Sequence, residues 1–293
     1  MGSRGAHAVN RRILISVLPL VLFYGLTVGA GLVLALLQSL GPAGFAADGV
    51  SAYGELLERP EIGRSILYTL YIAGASAILS VILGALLAWT LRWASAPVRT
   101  AGIVFHLPII LPHIVVGFVV MVLLAPTGPV SALVARLGFG SAVSDAFAWM
   151  LYSPAGIGMI LAYVYKEFPF VTLMALGVLR LVPERMVVTA RMLGAGPVRR
   201  FFAVGVPTMR PILSQVFIIL FLYALGGFEI PWLLGSSRPQ MIPITIYSLY
   251  FQGSLEDRPV AMAALSVLAL FSIVFVALYA HAADRISHRE RAV

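Results

Sequence analysis

Residues 64–91 read RSILYTLYIAGASAILSVILGALLAWTL, and the only charged side chain among them is Arg64, at the start. About 20 consecutive apolar residues, wound as a helix, cover the ~30 Å hydrocarbon core of a bilayer, so this run is long enough to cross one. Comparable runs lie on either side, at 13–38, 101–124, 154–177, 205–228 and 259–283. In lipid each must satisfy its backbone polar groups within its own segment, which makes each a helix. The expectation is an all-α membrane protein with six transmembrane helices. Composition agrees: 60% of the 293 residues are hydrophobic and 11% are charged, against about 25% charged in an ordinary soluble domain. There are no cysteines, which excludes disulfides, thiolate metal sites and cysteine nucleophiles. The net charge of +8 sits in short segments between apolar runs, a pattern of membrane topology rather than of nucleic-acid binding.

Arginine placement gives the expected orientation. The amino terminus, 92–100, 178–204, the start of span five and the carboxyl tail hold fourteen arginines, while 39–63, 125–153 and 229–258, together with Arg64 at the start of span two, hold five. Cytoplasmic segments carry the excess of basic residues, so both termini are expected in the cytoplasm. The Arg11-Arg12 pair before an apolar run has the look of a secretory signal, but the run is about twice the 7–15 residues of a signal core. The expected layout is a cytoplasmic segment 1–12, one membrane domain over 13–283, and a short cytoplasmic tail 284–293.

The connection at about 178–204 differs from the others. It reads LVPERMVVTARMLGAGPVRRFF over 181–202, with Val206, Pro207 and Pro211 beyond. This predicts two short helices meeting at a glycine elbow. Pro183 suits a first-turn position, and Glu184 complements the positive end of the helix dipole. Met186, Ala190 and Leu193 fall on one side of a helix. Gly194 and Gly196 can end the helix with a left-handed residue, and Pro197 can start the next. A compact amphipathic knob of this kind is a docking element for a soluble partner. Its five arginines, from Arg180 to Arg200, against the single acid Glu184 also fit a segment lying on anionic lipid.

Pro183-Glu184, then Ala190-Arg191-Met192-Leu193-Gly194-Ala195, then Phe201, Val206-Pro207 and Pro211 resemble the "EAA" loop of type I ABC-importer permeases. That resemblance implies a coupling helix seated in a groove of an ATPase subunit, with Glu184, Ala190, Arg191, Leu193, Gly194, Ala195, Arg199 and Phe201 as its coupling residues. Val188 stands where the family pattern has a glutamate, and Thr189 where it has an alanine, so a partner permease of different sequence is expected to supply the missing acid. Ser65–Leu70 with 84–88, the prolines 108 and 112, Tyr165–Phe170 and Phe228–Pro231 extend the resemblance, the last two toward the subgroup that handles polyamines, ferric iron and thiamine.

Lys166 and Glu167 fall midway along span four, where a charged residue costs about 2.5–3.5 kcal/mol to insert. Two readings stand. One or both line a solute path, or they form buried packing contacts, with Glu229 as one candidate partner. Pro169 frees a carbonyl one turn earlier that can accept from Lys166. His106 and His113 lack the spacing and carboxylate neighbours of a metal site, so no metal is expected. Gly226-Gly227 ahead of Phe228-Glu229 allow close helix approach or a break in span five, and so a gate.

The chain has a single lysine, Lys166, and no G-x-x-x-x-G-K-[ST] run, so ATP and Mg would bind on partner ATPase subunits. The expected function is the permease subunit of an ATP-driven importer in a bacterial inner membrane, assembled with two ATPases, a second permease and an extracytoplasmic binding protein. The rival readings are an ion-driven secondary transporter, which leaves the proline–glycine loop unexplained, and an intramembrane enzyme, for which the spans offer no serine–histidine or paired-aspartate set. Eight acidic residues in the outer connections against five arginines there and at Arg64 suit a cationic solute such as a polyamine.

Overall fold

The computed structural model describes residues 3–41, 51–94, 107–139 and 142–291. These are helices and turns, with no strand among the described residues. Among the described residues, five helices are long and apolar enough to cross a membrane: Ser16–Ser39, Pro60–Leu91, Ile157–Leu179, Pro197–Leu225 and Asp257–His281. They correspond to the expected spans one, two, four, five and six.

The expected third span is not one helix. Residues 101–106 lie outside the described residues, and the rest divides into α4 (Leu107–Ile110) and α5 (His113–Leu123), parted at Leu111-Pro112. Proline has no N–H to donate and pushes the preceding residue out of the helical region. Here Pro112 has φ −57° and ψ 149° and stands as the residue before α5. Eleven residues of α5 reach about 16 Å, roughly half a bilayer core. The connections also hold more structure than their glycines and prolines announced: α2 (Ser51–Glu58), α6 (Pro129–Val134), α7 (Ala142–Tyr152), α11 (Glu229–Leu234) and α12 (Ile242–Phe251).

The chain divides into two compact units. In the unit of residues 1–60 and 246–293, α1 (Ser3–Ser39) and α13 (Asp257–Arg291) lie against each other, with α2 also on α13. Ser39 and Tyr53 share a hydroxyl bond of 2.8 Å. Arg59 donates to Glu55 and, at 2.8 Å, to Asp257. Asp257 also accepts from the N–H and hydroxyl of Ser254, closing the turn that starts α13.

In the unit of residues 61–245, α8 (Ile157–Leu179) is the central rod, with thirteen buried residues. The helix Pro197–Leu225, here α10, packs along it, as do α4, α5, α7 and α11. Helix α3 (Pro60–Leu91) approaches α8 closely at one point. A Cβ on Gly84 would lie 2.5 Å from the Cβ of Val171, so only glycine permits this approach, as at close helix contacts in lipid. The expected start of span five at 205 proves too late, because the helix already begins at Pro197.

Candidate functional site

The loop after α8 builds a short helix, α9 (Glu184–Met192), and a sharp turn into α10. Pro183 is one residue outside the expected first turn: with φ −59° and ψ 136° it is the N-cap, and Glu184 takes the first helical position. The end of α9 follows from backbone bonds alone. The Gly194 N–H donates to Arg191 O at 3.0 Å, and the Ala195 N–H donates to Ala190 O at 3.0 Å. These are the two bonds of a Schellman turn, which needs a left-handed residue after the cap. Gly194 supplies it with φ +77°. Gly196 is instead extended and caps α10, whose first residue is Pro197. Of the two glycines, one is therefore left-handed.

The root of this loop is packed. Ala85, Ala88, Ala175, Leu179 and Met209 form a buried cluster from α3, α8 and α10, with Trp89 and Phe201 against it. The Trp89 and Phe201 rings meet edge-on at 5.8 Å. A Cβ on Gly205 would approach Trp89 to 2.8 Å. Arg92 donates to Val182 O at 2.7 Å. The tip is bare. Val187 is the buried residue of α9, while Met192 and Leu193 are 83% and 79% exposed, and Met186, Val188 and Val198 are exposed too. Glu184, Arg191 and Arg199 stand among them, exposed. Ala190 and Ala195 are half-buried, at the two ends of one Schellman bond. The structure thus brings the loop residues together as one element, with Phe201 in the root and the others in the tip. Trp89 and Arg92, which secure that root, escaped the sequence reading because they lie about 110 and 90 residues from Phe201 and Val182.

The second constellation lies on α8. Lys166 and Glu167 are 8% and 4% exposed, and no ion pair joins either to a described residue. Lys166 does not take the carbonyl freed by Pro169. Its Nζ donates to Pro108 O at 2.8 Å, to Ile109 O at 3.0 Å and to Leu111 O. Those carbonyls end α4 at the break, where no following turn offers them N–H groups. Glu167 accepts from Ser80 Oγ at 3.3 Å, while its other oxygen and the hydroxyl of Tyr163, one turn earlier, are buried without a partner among the described residues.

Span five does break where the glycines predicted: α10 ends at Leu225, Gly226 caps it, and α11 begins at Glu229. A Cβ on Gly227 would come within 2.1 Å of Tyr163 Oη. Glu229 is exposed in the first turn of α11 rather than bonded to Lys166. His113, first residue of α5, lies against Tyr223 with ring centroids 4.5 Å apart; His106 is outside the described residues. No group of three His, Asp or Glu among the described residues can hold a metal.

The family described as "Binding-protein-dependent transport system inner membrane component" matches residues 80–288. The chain belongs to this family. It is a multi-pass inner-membrane permease of an ABC importer, a non-catalytic subunit, and the secondary-transporter and enzyme readings fall. The permease is 29% identical to the molybdenum transport system permease protein ModB of Azotobacter vinelandii, over 73% of this chain and 92% of that protein. It is 30% identical to a putative ferric transport system permease protein, FbpB 1, of Haemophilus influenzae, over 76% of this chain and 34% of that longer protein. A crystal structure of a bacterial ABC transporter for alginate import contains a chain of the same fold, with TM-score 0.78, 20% identity, and 97% and 99% of the two chains covered.

Proposed function

We propose that this permease is driven through the tip at 184–196, which one of two ATPase subunits grips, the other gripping the loop of a second permease. The observation that carries the reading is the contrast within one loop. Its root is fastened to α3, α8 and α10, while its tip offers exposed Met192 and Leu193 among basic side chains. Apolar side chains ringed by polar ones are the usual core of a protein contact. Bound lipid is the lesser alternative, since the exposed pair sits on a turn rather than along a helix face.

In this reading both termini and the loop face the cytoplasm, with 13–283 as the membrane domain between the segments 1–12 and 284–293. The connections 39–63, 125–153 and 229–258 receive solute from an extracytoplasmic binding protein. Val188 in place of the motif's glutamate favours a partner permease of different sequence. The break at Gly226-Gly227 with Glu229 beyond it forms part of the path, while Lys166 and Glu167, buried on α8, belong to its scaffold. The cargo is a small solute. The relatives' names cite molybdenum, ferric iron and sn-glycerol-3-phosphate, cargoes of differing charge, so a cation such as a polyamine rests only on the acidic outer connections.

The test is co-purification. The tagged permease carrying M192D and L193D should lose its nucleotide-binding subunit while its tryptophan-fluorescence melt stays that of the wild type. Retention of the ATPase by the double variant would remove the tip from the contact.

A further inference from the structure

Among twenty basic side chains the permease has one lysine, and it is the one buried on α8 with all its donors committed to carbonyl oxygens. The three carbonyls of Pro108, Ile109 and Leu111 converge on a single atom, the Lys166 Nζ. A compact ammonium with three donors fits that convergence, whereas the planar fork of a guanidinium spreads its donors apart. Without the lysine, three carbonyls at the end of α4 would face a buried space unbonded. Without the carbonyls, a charge would be left buried and unpaired; neither side can let go cheaply.

The same helix carries the loop. From Lys166 to Leu179 is thirteen residues, about 20 Å of helix, and Leu179 lies in the buried cluster at the loop's root. Val171, between them, is in contact reach of Gly84 on α3. A displacement at the root thus has a continuous packed rod to follow up to Lys166.

We infer that Lys166 is a positioning residue, a tethered cation that locks the short helix α4 to α8, so that movement of the cytoplasmic loop is delivered to the Leu111-Pro112 break. The lock itself rests on geometry alone; its use in coupling rests on the reading of the loop given above. The break is the compliant point, because α5 starts afresh at His113 after a residue that cannot continue the helix. On this account α4 is tied to α8 by these bonds, while α5, which also packs on α8, is joined to α4 through a break that can bend.

The natural absence of cysteine makes the test direct. Spin labels on I110C and L173C, in the intact complex, should give one narrow distance that is the same without nucleotide and in the ATP–vanadate state. K166A should broaden that distribution and lose its main peak. Propylammonium, which has the three carbons and the ammonium that K166A removes, should restore it, while choline at equal ionic strength and K166R should not. Should K166A fail to assemble, K166M, which removes the ammonium and its three donors but keeps most of the side-chain volume, is expected to show the same broadening. A wild-type distance that changes between the two states, or a variant distribution identical to wild type, overturns the lock. Failure of the ATPase to co-purify would instead strike the coupling reading, and the label distance without nucleotide would still decide the lock by itself.

Discussion

Two glycines interrupt helices in this permease for opposite reasons. Gly194, at the loop tip, has open space around it and a φ of +77°. Gly227, inside the bundle, has no positive φ but no room for a Cβ, with Tyr163 Oη in the way. The first is chosen for its backbone freedom, the second for its missing side chain. The same residue therefore marks a surface shape in one place and a close contact in the other, and only the three-dimensional surroundings tell them apart.

The contrast can be broken experimentally. The largest effect should come from G227A. Overpacking a filled interior costs about 1–3 kcal/mol, so the melting midpoint should fall by several degrees. Y163F removes the colliding oxygen, which has no hydrogen-bond partner among the described residues, so Y163F alone should be neutral or stabilising and should restore G227A. A double variant no better than G227A would mean that the clash lies elsewhere. G194V comes next. A β-branched residue held in the left-handed region costs about 1–2 kcal/mol, but the loss should stay in the turn: ATPase binding or coupling falls while the melt barely moves. V188E is the smallest. At an exposed position the stability change should stay within about 0.5 kcal/mol, and ATPase retention in washes of rising salt should increase if an acid there completes the grip.

The parts of the structure that were legible in advance are those written in local chemistry. The Gly194 turn was visible because proline, acid, small residues and glycine follow one another at helix-end spacing. The break at Gly226-Gly227 was visible as a glycine pair at the end of an apolar run. The break at Leu111-Pro112 is not legible, even with prolines at 108 and 112, because an apolar window of 24 residues reads as a span whether or not it is continuous. The partners of Lys166 lie 55–58 residues away, beyond any periodic pattern, so the nearby Pro169 drew attention to the wrong carbonyl. The early start of α10 was hidden by Arg199 and Arg200, charged residues that a hydropathy argument assigns to a loop. Helices α2, α6, α7 and α12 were missed for a related reason: they are short, and glycine and proline around them signal turns more loudly than they signal helices.

The Schellman turn at Ala190–Ala195 is closed by main-chain bonds and one glycine torsion. Its form is thus written separately from its chemistry. On the proposed reading, substitutions at Met186, Val188, Met192 or Leu193 would alter what the protrusion adheres to without remoulding it, so that grip and shape can be varied one at a time.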